Sequence, residues 1–271
     1  VEAVETAMKL CRKWAYQVKG VAANQAKIVF AKDNFHGRTI SVISASNDPT
    51  ATHEFGPFLD GIVLVPYNDV DALEQLFKAD ENIAGFIVEP IQGEAGIVVP
   101  DEDYLMRVRQ LCTKYNVLFI ADEIQTGIAR TGSMLASYAI DDAQSQSKPD
   151  VLILGKALSG GVLPVSAVLA NDSIMLCIKP GEHGSTYGGN PLACAVAMEA
   201  LNVVRDENLT QRAFQMGALF LDGLRQIAAK CTLITEVRGE GLLTAIVIDA
   251  DEESDLAWNI CLKFKENGLL A

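Results

Sequence analysis

Val4, Met8, Cys11, Ala15 and Val18 recur at helical spacing with charged residues between them, a pattern that predicts an amphipathic helix over the first twenty residues. The apolar runs that follow are short and barely alternate, at 28–30, 62–65, 86–88, 117–120 and 151–154. Runs of that kind suit strands covered on both faces. They alternate with helical patterns at 70–78 and 104–115, and the alternation predicts an α/β chain with a mostly parallel central sheet flanked by helices. After Pro191 come two long helical stretches, one to residue 204 and one over 209–229. The segment 234–248 then places Arg238-Gly239-Glu240-Gly241 between two apolar runs, as a strand pair with a glycine-rich bend would. A large domain over 1–205 and the start of a smaller α+β domain over 206–271 are therefore expected. The opening inside a helical pattern without Met, and the stop just after Asn267-Gly268, suggest that the first lacks its N-terminal part and that the second is cut short.

With 271 residues, 49% of them hydrophobic, the chain can bury a large core. Its formal charge of -13 disfavours a nucleic-acid partner, since phosphate binding needs a basic footprint. A small-molecule substrate fits better. The six cysteines form no C-x-x-C pair and the three histidines are scattered, so neither zinc nor a disulfide framework is expected. That usage favours a reducing intracellular compartment, the cytoplasm or the mitochondrial matrix. Runs such as 191–204 are too short to span a bilayer.

In an open α/β sheet, ligands gather at the carboxyl ends of the strands. Three apolar runs lead there into chemistry-bearing segments: Glu89-Pro90-Ile91-Gln92-Gly93-Glu94, Ala121-Asp122-Glu123-Ile124-Gln125 and Gly155-Lys156-Ala157. Carboxylates and one lysine would meet at one edge of the sheet. A carboxylate such as Asp122 can keep a pyridinium nitrogen protonated, and a lysine such as Lys156, desolvated at the end of a buried strand, can offer a free amine for imine formation. Each, taken alone, is more simply a solvated charge at a strand end, but two such ends followed by glycine-rich turns reverse that balance. A nucleotide-binding P-loop does not fit, because Asp150 stands where its first glycine belongs and Ala157 where its Ser or Thr belongs.

The segments FHGRT (35–39), EPIQGEAG (89–96), ADEIQTGIARTG (121–132), LGKALSGG (154–161) and PGEHGSTYGGNPLA (180–193) together resemble the class III pyridoxal-phosphate-dependent aminotransferases in order and spacing. The resemblance covers essentially the whole chain. The wording of the last two segments is most similar to the ornithine branch, with the acetylornithine and 4-aminobutyrate branches similar in several segments.

The resemblance implies a fold-type I homodimer with active sites at the subunit boundary and pyridoxal 5'-phosphate as cofactor. Lys156 would hold that cofactor and, once released, carry the proton in catalysis. Asp122 would pair with the ring nitrogen, Gln125 with the ring hydroxyl, and Phe35 would stack on the ring. Thr186, with Ser185, would reach the cofactor phosphate of the partner subunit. Arg38 would grip the α-carboxylate of L-ornithine so that its δ-amine faces the cofactor. Glu94 would shield a second arginine until 2-oxoglutarate arrives, and Glu89 would sit near the cofactor without a stated role. The residues that cup the phosphate would precede Val1, leaving only the Val1 amide, and the arginine for the oxo acid would follow Ala271. The reaction implied yields glutamate semialdehyde and glutamate. The alternatives are an acetylornithine or 4-aminobutyrate donor, or a catalytically inactive fragment or binding protein that keeps the fold.

Overall fold

The computed structural model describes residues 1–138, 145–251 and 254–270. Six strands build the central sheet: β1 (Lys27–Ala31), β2 (Ile62–Val65), β3 (Ile83–Val88), β4 (Leu118–Asp122), β5 (Val151–Leu154) and β6 (Ala167–Ala170), in the order β2-β1-β3-β4-β5-β6. The first five are mutually parallel and β6 alone runs antiparallel, beside β5. The parallel strands fall where the sequence predicts them. β6 does not announce itself, because its four residues are only half covered and give no clear period.

Helices cover both faces: α1 (Glu2–Trp14), the short α2 (Ile40–Ile43) and α3 (Pro49–Thr52), α4 (Val70–Ala79), α5 (Tyr104–Lys114), the short α6 (Asp172–Met175) and α7 (Pro191–Asp206). Successive strand residues point to opposite sides. Phe86, Val88, Phe119 and Ala121 join α4, α5 and α7 in one apolar cluster, while Ile87, Ile120 and Ile153 pack against α1 in the other. Burying each such large side chain stabilises the fold by about 1.5–3 kcal/mol. The approach of α1 is close enough to need a glycine in β3, since a Cβ at Gly85 would lie 2.6 Å from Cys11 Sγ. Beyond Trp14 the helix widens into a π turn over Ala15–Lys19.

The C-terminal stretch forms α8 (Leu209–Ala228), an antiparallel pair of β7 (Ile234–Glu240) and β8 (Leu243–Ile248), and α9 (Leu256–Glu266). Arg238 Nε donates to the Gly96 carbonyl at 2.9 Å and the Leu242 amide to the Arg130 carbonyl at 2.9 Å, joining this pair to loops of the main sheet. Residues 252–253 and 271, part of the expected second domain, lie outside the described residues. Among the described residues no helix is long and apolar enough to cross a membrane.

Candidate active site

Because β1, β3, β4 and β5 are parallel, the residues that follow them converge on one edge of the sheet. Phe35 and His36 come from the loop after β1, Glu89 follows β3, Asp122 ends β4 and Lys156 follows β5. All five line one cavity of about 720 Å³. Its rim is completed by Val1 at the N-terminus of α1 and by Gly188 to Asn190 at the N-terminus of α7.

Asp122 is buried, and its Oδ2 lies 2.6 Å from His36 Nδ1. A carboxylate only accepts, so Nδ1 carries the proton. The Ile124 amide donates to Oδ1 at 3.1 Å. Burial of His36 opposes its protonation, but the hydrogen bond and charge of Asp122, with Glu89 adding, hold the imidazole above its ordinary pKa. Glu89 accepts the Phe35 amide on Oε2 at 3.1 Å and the Gly93 amide on Oε1 at 3.2 Å. Burial pushes its carboxyl up to about 7, against the pull of His36.

Gln125 lines the cavity, and its buried Nε2 has no hydrogen-bond partner. An orphaned buried donor is costly unless something accepts from it. A ring hydroxyl oxygen of pyridoxal phosphate would do so, with Asp122 at hand for the pyridine nitrogen and Phe35 for the ring face. The cavity volume is in the range of small-molecule sites. The residues present therefore fit this cofactor.

Lys156 has a backbone φ of 41°, a left-handed conformation that costs a non-glycine residue about 1–2 kcal/mol. Its side chain is exposed, contrary to the desolvation expected of a strand-end lysine. The turn out of β5 runs straight into Gly160-Gly161-Val162, and all three of those residues are exposed.

The expected substrate residues stand apart. Arg38 is exposed, outside the cavity lining, with its guanidinium 5.7 Å from the centre of the Phe35 ring. Glu94 is exposed and lines a second pocket of about 210 Å³, which shares Phe35, His36 and Gly37 with the first. Ser185 and Thr186 do not line this chain's own cavity. Ser185 instead donates to Glu2 Oε2 at 3.3 Å, and its hydroxyl accepts the Gly188 amide at 3.2 Å.

Sequence reasoning assigned no role to His36, although it sits directly after Phe35 beyond a strand end. Nor did it single out Glu123, whose buried carboxylate takes the amides of Ala136 and Ser137 and the hydroxyls of Thr126 and Ser137, fixing the loop beyond Asp122. The one available signal was position, since both neighbour a residue already marked.

The fold agrees with the comparisons. The family Aminotransferase class-III matches residues 1–271, and the chain belongs to that family, with its fold-type I architecture. It is 59% identical over its whole length to the mitochondrial ornithine aminotransferase of Drosophila melanogaster and 56% identical to that of Rattus norvegicus, covering 60% of each. Among solved structures, it resembles the ornithine aminotransferase of Toxoplasma gondii ME49 with a TM-score of 0.93 at 49% identity, over 99% of this chain and 62% of that one. It also resembles the acetylornithine aminotransferase of Elizabethkingia anophelis with a TM-score of 0.87 at 58% identity, over 100% of this chain and 65% of that one. The chain thus spans about 60% of the length of the curated relatives it matches.

Proposed function

We propose that these residues are the cofactor-binding core of an ornithine aminotransferase, which moves the δ-amino group of L-ornithine to 2-oxoglutarate. The observation that carries this reading is the convergence of Asp122, Gln125, Phe35 and Lys156 on one cavity with the Gln125 amide unsatisfied. Bound pyridoxal phosphate supplies an electrophilic carbonyl carbon and a ring that takes up the electron pair released at the substrate carbon. Lys156 Nζ would hold the cofactor and would move the proton at the substrate carbon. Asp122, fixed from behind by His36, keeps a proton on the ring nitrogen. Gln125 Nε2 would donate to the ring oxygen, and Phe35 would cover one face. Val1, which lines the cavity at the start of α1, would offer its amide to the phosphate.

Arg38, a fork suited to a carboxylate, orients ornithine by its α-carboxylate, and Glu94 carries the negative charge on the substrate side that shields a second arginine until 2-oxoglutarate arrives. Residues 1–205 serve as the cofactor domain, and 206–271 begin a smaller one. A second copy of the chain completes the site: Ser185 and Thr186 lie outside this chain's own cavity, and Tyr187 at its rim is 82% exposed. The compartment is intracellular, the fruit-fly and rat relatives being named mitochondrial.

The test uses the full-length protein. Loaded with pyridoxal phosphate it should be yellow, borohydride should fix the pyridoxyl group on Lys156, and L-ornithine should bleach the unreduced band. An adduct on another residue would end the proposal. Bleaching by N-acetylornithine but not ornithine would reassign the donor to that of the Elizabethkingia relative.

A further inference from the structure

Glu89 is the first residue beyond β3, and its carboxylate holds two backbone amides at once. One belongs to Phe35, in the loop after β1. The other belongs to Gly93, whose carbonyl then accepts from the amides of Gly96 and Ile97 and so closes the turn that carries Glu94. Neither loop is part of a strand or helix at these positions, so their relative placement depends on side-chain contacts of this kind. Gln92 adds a second tie, its Nε2 donating to the Lys32 carbonyl at 2.7 Å.

We infer that Glu89 is a positioning residue that couples the Phe35 loop to the Glu94 turn, so that the face against the cofactor and the charge toward the substrate move as one unit. This rests on the roles proposed above for Phe35 and Glu94. A single ionised carboxylate suits the task, because each oxygen accepts one amide in a charge-assisted bond. The groups facing it are His36 from the loop after β1, Asp122 from the end of β4, and Tyr67 from the loop after β2, whose hydroxyl donates to the Glu89 carbonyl at 3.2 Å. Burial and Asp122 push the carboxyl up to about 7 while His36 and the two amides pull it down. Above that pH both amides are held by charge. As pH falls through it the carboxyl gains a proton, one oxygen becomes a hydroxyl, and the pair of bonds weakens together.

Amide hydrogen exchange by mass spectrometry on the full-length holoprotein reads this directly, with peptides over 31–38 and 90–97 followed from pH 5.5 to 8.5. After correction for intrinsic rates, both should lose protection with a shared midpoint near 7, a few-fold in rate. In Glu89→Gln the charge is gone and an NH₂ group confronts one of the amides. Both peptides should then exchange roughly ten-fold faster at pH 8 with no midpoint, and KM for L-ornithine should rise more than kcat falls. Separate midpoints, no midpoint in the wild type, or a variant with the wild-type profile would overturn the inference. The wild-type titration stands even if the variant does not fold. A protein that fails to bleach with ornithine would sink the proposed function while leaving the exchange result on Glu89 readable.

Discussion

Gln125 and Gly93 press against each other beneath the cavity. A Cβ at Gly93 would lie 2.6 Å from the Gln125 amide atoms, the mobile end of that side chain. Gly93→Ala should therefore leave the fold intact but push the Gln125 amide aside. Loss of one hydrogen bond is worth about 1 kcal/mol, so the Kd for pyridoxal phosphate should rise about five-fold. An absorbance titration of the apoprotein checks this, and an unchanged Kd would remove Gln125 from the cofactor site. Asp122 and Lys156 could be marked from sequence because their chemistry follows directly on apolar runs, and Gln125 through the family resemblance. His36 could not. Its role depends on an 86-residue separation closed to a 2.6 Å contact, and no local pattern encodes that distance.

Among the elements, the helices that frame the site carry their start signals in the chain. Asn190 Oδ1 accepts the Ala193 amide at 2.8 Å and Pro191 takes the first helical position, so α7 begins where the sequence says it should. Asp69 does the same for α4, through the Ala72 amide. Asn190→Ala should cost about 1 kcal/mol, visible as a lower midpoint in urea unfolding. No change would mean that the cap contributes nothing to cooperative stability. What stayed illegible was short. Helices α2, α3 and α6 have four residues each, less than is needed for a 3.6-residue period to declare itself. The left-handed turn at Lys156 was equally hidden, since lysine gives no sign of a positive φ.

For the whole molecule, the rim of the cavity carries large apolar side chains open to solvent. Tyr187 is 82% exposed, Val162 70% and Leu192 65%, all on or beside the segments that line the opening. On the proposal that a second copy seats there, the full-length protein should sediment as a dimer. Leu192→Glu, at a position exposed in the single chain, should shift it toward monomer and lower its affinity for pyridoxal phosphate in parallel. A dimer that falls apart without any loss of cofactor would separate the two and argue against a shared site. The succession of buried strands, covering helices and polar strand ends was determined by the sequence alone, because periodicity and burial are properties of neighbours a few residues apart. Folding decided the rest: His36 behind Asp122, Glu89 between two loops, and Lys156 left open at the mouth. Those placements follow from the order in which parallel strands assemble, and strand order depends on packing between segments that are remote along the chain.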